Sequence, residues 1–149
     1  MVRGVETVTR PMREKDEQAV RRLHEQAHPQ WPERPDHWYF APPTLVLDEG
    51  GAVLGFTSFS LGSMTGVLML HGQDIAVDPS VRGAGFGRRL HEARLELGRA
   101  MSATMFSGFT QATNEPMQRI FLACGHHACQ TIRRYFPDWQ DAVLYLGPL

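Results

Sequence analysis

The chain has 149 residues, 42% of them apolar, which suits one domain with a single core. Fifteen basic residues against sixteen acidic ones leave a net charge of −1, so no global field draws in nucleic acid or an anionic membrane. No apolar run reaches the roughly 18 residues of a membrane helix, the first residues lack the apolar core of a secretory signal, and two cysteines cannot staple such a domain, so a reducing cytoplasm is expected.

Alternation of Val5, Thr7 and Thr9 with Glu6, Val8 and Arg10 predicts a short strand ended by Pro11. Ala19, Val20, Leu23 and Ala27 recur at near-helical spacing, with Asp16 and Glu17 early and Arg21 and Arg22 later, so a helix is expected over 14–27. Residues 28–43 then combine prolines with Trp31, His37, Trp38, Tyr39 and Phe40. Pro breaks helices and ladders, so this is a loop with one short helix at 36–41. Its aromatic density fits a flap over the core or one wall of a substrate pocket.

Apolar runs at 44–48, 52–61 and 66–77, with short Gly-bearing links, predict an antiparallel meander of three strands. A helix at 85–100, a strand at 103–110 and a helix at 115–123 follow, the last with Pro116 in its first turn and Gly125 beyond its end. Strands at 128–135 and 141–146 close the chain. The sum is an α/β (α+β) domain spanning 1–149, with a mixed, mostly antiparallel sheet of about seven strands and about four helices.

The stretch from Ile75 to Leu90 carries the most chemistry. A β-branched strand end enters the Asp78-Pro79 turn, and Gly83, Gly85 and Gly87 stand directly before an amphipathic helix. Gly allows positive φ and close approach of a ligand to the backbone. Free N–H groups at a helix start form an anion site that the dipole reinforces. A pyrophosphate is therefore expected on the amides of Gly83 to Arg88, with Arg88 or Arg89 adding charge. The Gly-x-Gly-x-Gly spacing and mid-chain position disagree with a dinucleotide fingerprint, and no Gly-Lys-Ser/Thr follows for a P-loop.

Arg82-Gly83-Ala84-Gly85-Phe86-Gly87 resembles the Arg/Gln-x-x-Gly-x-Gly/Ala signature of the GNAT N-acetyltransferase superfamily. Asn114 through Gly125 looks like that family's second signature helix, and the order of elements also matches. The resemblance implies a GNAT fold and acetyl-CoA as co-substrate. It implies a diphosphate at Gly83 to Arg88, beside Arg82 and Ala84. It also implies a pantetheine arm along Ile75, Ala76 and Val77 in a gap between the fourth and fifth strands, with Asn114 touching that arm. An amide on that strand would polarise the thioester carbonyl. The reaction implied is direct attack by an amine.

Two family positions depart from the pattern. The Tyr acid expected seven residues after Asn114 is Phe121, which has no proton to donate and is counted with the cofactor-binding residues. The tail, from Thr131 through Pro137 and Asp141 through Leu146, resembles bacterial ribosomal-protein N-terminal acetyltransferases, whose Glu base would fall at Phe109. Asp74 and His71 are the candidate bases, and Tyr135 is a candidate acid or substrate contact. Strict alternation puts His71, Gln73 and Ile75 on one face and Gly72, Asp74 and Ala76 on the other, so one of the pair faces the pocket unless a bulge re-aims them. Cys124, His126, His127 and Cys129 have metal-ligand chemistry but not the paired spacing, so no metal is expected. Partners expected are an amine substrate, small molecule or protein, with a homodimer left open and no nucleic acid or membrane. The alternative reading is a non-catalytic acyl-CoA-binding or sensing domain, which absence of the usual acid and base would favour.

Overall fold

The structure, a computed structural model, describes residues 5–33 and 42–149. The short helix expected at 36–41, with His37, Trp38, Tyr39 and Phe40, lies outside the described residues. Seven strands form one sheet: β1 (Thr7–Pro11), β2 (Thr44–Glu49), β3 (Ala52–Met64), β4 (Val67–Val77), β5 (Met105–Gln111), β6 (His127–Ile132) and β7 (Ala142–Pro148). Their spatial order is β1-β2-β3-β4-β5-β7-β6, and only β4 and β5 run parallel. Three α-helices are described: α1 (Glu17–Ala27), α2 (Phe86–Ala100) and α3 (Glu115–Ala123).

The expected meander of β2, β3 and β4 is present, and its first turn is closed by Gly51 N–H donating to Asp48 Oδ1 at 2.8 Å. The first helix opens with a 3-10 turn at Glu14–Asp16 before the α-helix proper. There Arg10 holds Asp16 through two hydrogen bonds of 2.7 and 3.0 Å and also reaches Asp48 at 2.9 Å. β6 ends three residues earlier than the apolar pattern suggested. Arg134 has φ +54°, which turns the chain out of the ladder, and its N–H donates to Asp141.

Two apolar clusters cover the two faces of the sheet. Val20 and Leu23 of α1 pack on Val46, Phe56 and Ala76. Leu95 of α2 with Met117 and Phe121 of α3 packs on Phe59, Leu70 and Phe106. Each fully buried Leu or Phe contributes about 1.5–3 kcal/mol, so α1 is fixed to one face and α2 and α3 to the other. Close approach on the α2 face needs Gly98, where an added Cβ would meet Leu70 Cδ1 at 2.4 Å.

Candidate functional site

β4 and β5 pair only from Met69↔Met105 to Gly72↔Gly108. Beyond that point β4 stays with β3 and β5 stays with β7, so the two strands splay. A splay inside a continuous sheet leaves main-chain groups and side chains facing a gap, and three clefts lie around it.

On the α2 face a cleft of about 600 Å³ is lined by Val77, Arg82, Gly83, Gly85, Phe86, Gly87 and Arg88, with Arg119 and Ile120 of α3 opposite. Gly83 and Gly85 have φ of +86° and +81°, and a Cβ at either would meet nothing within 4 Å. The glycines are required by backbone conformation, and they leave the space above the turn open. Gly85 caps α2 without any side-chain cap hydrogen bond, so the first-turn N–H groups remain as donors. Ala84 shares this exposed turn but does not line the cleft. Arg88 holds Glu92 at 2.8 Å, and Arg89 turns away to donate to the carbonyl of Thr7. Arg119, which the sequence reading did not single out, adds a third arginine to the cleft wall.

At the inner end of the splay a small cavity of about 60 Å³ is lined by Gly72, Asp74 and Ile75 of β4, Arg94 of α2, Asn114, Met117 and Phe121 around α3, and the aromatic rings of Trp31, Phe109 and Phe136. A cleft of about 440 Å³ continues on the α1 face between Trp31, Asp74, Phe109, Tyr135 and Phe136. Trp31 stacks on His28 at 3.7 Å and on Phe136 at 5.5 Å, and Tyr135 stacks on Phe109 at 4.7 Å. Of the loop aromatics expected to wall a pocket, Trp31 lines this cleft.

Strict alternation fails in β4. Thr57 faces Ile75 and Phe59 faces Gly72, so Ser58 alone stands opposite Gln73 and Asp74. This bulge turns Asp74 to the α1 face, where its Oδ1 lies 3.7 Å from His24 Nε2, while Gly72 faces Arg94 of α2. His71, bonded through Nδ1 to Ser107 Oγ, returns to the same face as Asp74 but does not line either cleft with it. Asp74 N–H donates to Ser58 Oγ at 3.1 Å and Asp74 C=O accepts from Thr57 Oγ1 at 3.0 Å, so that peptide is held by β3 on both sides.

Ile75 lines the inner cavity and Val77 the outer cleft, while the Ala76 side chain is buried beneath α1 and only its main chain can face a ligand. Asn114 Oδ1 caps α3 by accepting from Met117 N–H at 3.2 Å, which leaves its Nδ2 as the group able to donate into the cavity. Phe121 is 2% exposed and packs edge-on against His91. Among the described residues no group of three or more His, Cys, Asp or Glu could hold a metal. His126 instead lies buried against His91, with Nε2 to Nε2 at 2.9 Å. Cys124 faces a separate groove beside Leu95 and Arg99, and burial raises its thiol pKa. No described helix is long and apolar enough to cross a membrane.

His24, Arg94 and His91 are the site residues the sequence reading missed. Arg94 sits four residues after Leu90 on the core stripe of α2, and a charge at a core position was the available signal.

Comparison with known proteins finds the same fold. The structure of yncA from Salmonella typhimurium with its cofactor acetyl-CoA superposes with a TM-score of 0.80 at 21% identity, covering 97% of this chain and 94% of that one. Ard1 from Thermoplasma volcanium gives 0.83 at 21%, covering 97% and 99%. The ribosomal-protein-S18-alanine N-acetyltransferase from Escherichia coli gives 0.80 at 18%, covering 96% and 94%. At these identities the likeness shows the fold alone. None of the curated protein sequences matches this one. The acetyltransferase (GNAT) family profile matches residues 12–126, which take in α1, the splay, the glycine turn and α3. The chain therefore belongs to the GNAT family of acetyltransferases, whose enzymes use acetyl-CoA as co-substrate.

Proposed function

We propose that the protein transfers an acetyl group from acetyl-CoA to a primary amine, of a protein N-terminus or a small molecule, by direct attack in the β4–β5 splay. The observation that carries this reading is one gap with two unlike mouths: an open, glycine-lined anion cradle on the α2 face and a carboxylate in an aromatic cleft on the α1 face. The cradle suits a diphosphate. Its amides are uncapped, the space over Gly83 and Gly85 is free, and Arg82, Arg88 and Arg119 stand around it. Ile75, Ala76 and Val77 would bond the pantetheine arm through their main chain, as an added strand satisfies an open edge. Asn114 Nδ2 would steady the same arm.

The co-substrate supplies an activated thioester, and the protein must supply a neutral amine and a polarised carbonyl. Asp74, 19% exposed at its side chain and next to His24, is placed to take the amine's proton directly or through water. Asp74's own N–H is already bound to Ser58, so an oxyanion contact would come from a neighbouring amide of the bulge. Trp31, Phe109, Tyr135 and Phe136 would hold a partly apolar acceptor, with Tyr135, 49% exposed, as a contact at the rim. We infer a reducing cytoplasm as the compartment, since Cys124 and Cys129 are both free thiols.

Phenylalanine at 109 and 121 favours a second reading, an acyl-CoA sensor without turnover. Thiol release from acetyl-CoA with a panel of primary amines and N-terminal peptides separates the two. Release with any acceptor, lost in Asp74→Asn, supports the transferase. Tight CoA binding with no release from any acceptor supports the sensor.

A further inference from the structure

Arg94 is 2% exposed, yet its guanidinium lines the small cavity at the inner end of the splay. Its Nε–H donates to His91 Nδ1 at 2.9 Å and its Nη1 donates to the Ser58 carbonyl at 3.2 Å, while its carbon lies 5.4 Å from the centre of the Phe106 ring. Among the described residues no carboxylate lies within ion-pair distance of it, and both groups it is bonded to are neutral. A buried cation without a bonded counter-charge costs stability, and an anion entering the cavity would relieve that cost. Gly72 is required by this arrangement, because a Cβ there would lie 2.8 Å from the Arg94 guanidinium carbon.

Resting on the acetyl-transfer reading, we infer that Arg94 is a catalytic group whose guanidinium stabilises the thiolate that leaves when the acetyl group is passed on. Attack by the neutral amine forms the C–N bond and breaks the C–S bond. The electron pair goes to sulfur, and the amine's proton goes to Asp74 or its water. The negative charge on sulfur then needs a proton or a cation. Phe121, at the family's Tyr position, has no proton to give and lines the same cavity as Arg94. Position also favours sulfur over an anionic group on the acceptor. Arg94 reaches the cavity from the α2 face, beside Met117 and Phe121, while Asp74, Trp31, Phe109 and Phe136 line the same cavity from the side that continues into the α1 cleft. Arg94 stands about 12 Å along α2 from the cradle at its N-terminus, and α2 runs from the cradle toward the inner end of the splay.

The groups facing Arg94 are few. Burial lowers the Arg94 pKa to about 9, and Asp74, acting from β4 across the gap, opposes that loss of charge. His91 on its own helix is kept neutral by burial, and His126 behind it likewise.

The test is the ultraviolet titration of the CoA thiol bound to the wild-type protein, with the free protein as blank to remove Cys124 and Cys129. Arg94 should lower the bound thiol's pKa by about one to three pH units relative to free CoA. Arg94→Lys should keep part of that shift. Arg94→Met should abolish it and lower kcat about a hundredfold, with the Kd for CoA little changed. A bound thiol that titrates as in free CoA overturns the role of Arg94 and leaves the acetyl-transfer reading standing. No calorimetric heat with CoA would remove that reading and this inference together. The wild-type titration decides even if Arg94→Met fails to fold.

Discussion

At the outer mouth of the splay, recognition would be left to the main chain: three glycines, the uncapped amides of α2, and arginines at the rim. At the inner mouth the groups on offer are side chains, with Asp74, Trp31, Phe109, Tyr135 and Phe136 drawn from β4, β5 and two loops. The contrast follows from what each mouth would bind. A diphosphate is the same in every reaction of this kind, and amides at a helix start grip it whatever the neighbouring side chains. An acceptor differs between enzymes, so its contacts sit where substitution leaves the fold intact. One mouth should therefore fail through backbone changes and the other through side-chain changes.

The largest effect should come from Gly85→Glu. Its φ of +81° strains any side chain, and the carboxylate enters the anion cradle. CoA affinity should fall by about a thousandfold, ~4 kcal/mol, measured by calorimetry. Unchanged affinity would end the main-chain account of that mouth. Asp74→Asn should lower kcat by about a hundredfold or more while leaving the CoA Kd alone. If it moved Kd instead, the two mouths would not be separable.

A third effect lies in the floor they share. Arg94 can only donate, so His91 accepts at Nδ1, carries its hydrogen on Nε2 and donates it to His126 Nε2. His126 then keeps its hydrogen on Nδ1, which is buried without a hydrogen-bond partner among the described residues. Burial, with Arg94 nearby, holds His126 down to about 4, and His91 is lowered in the same direction by the same causes. The unfolded chain binds these protons first, so stability is full above about pH 6.5 and drains as pH falls toward about 4. Denaturant unfolding across that window should lose about 3 kcal/mol through His126 alone, and His126→Gln should flatten the slope. An unaltered slope in that variant would place the acid sensitivity elsewhere. The Arg10–Asp16–Asp48 cluster adds its own loss only at lower pH, because both carboxyls lie below the usual range beside Arg10.

The smallest effect should be Arg88→Gln. The side chain is about half exposed and already bonded to Glu92, so CoA affinity should weaken by no more than about fivefold. A loss comparable to that of Gly85→Glu would shift the grip from main chain to side chain.

The contrast between mouths also decides what could be read from the sequence. Gly83, Gly85 and Gly87 before an amphipathic run announce the cradle, because positive φ and helix starts leave local marks. Asp74 was legible as a candidate, but its facing was not. The bulge opposite Ser58 overrides alternation, and it depends on pairing with a strand some sixteen residues away in the chain. His24 and Arg94 look like residues on helix stripes and meet the splay only when α1 and α2 pack on opposite faces. The fold itself was readable in its element order, while β6 ended early because Arg134 takes a left-handed turn that no propensity marks.

The most direct test of the account is a crystal structure of the protein with CoA. The diphosphate should lie on the amides of Gly83 to Arg88, the pantetheine arm along Ile75 to Val77, and the sulfur at the inner end of the splay between Asp74 and Arg94. CoA bound elsewhere, or with its sulfur outside the gap where β4 leaves β5, would contradict it.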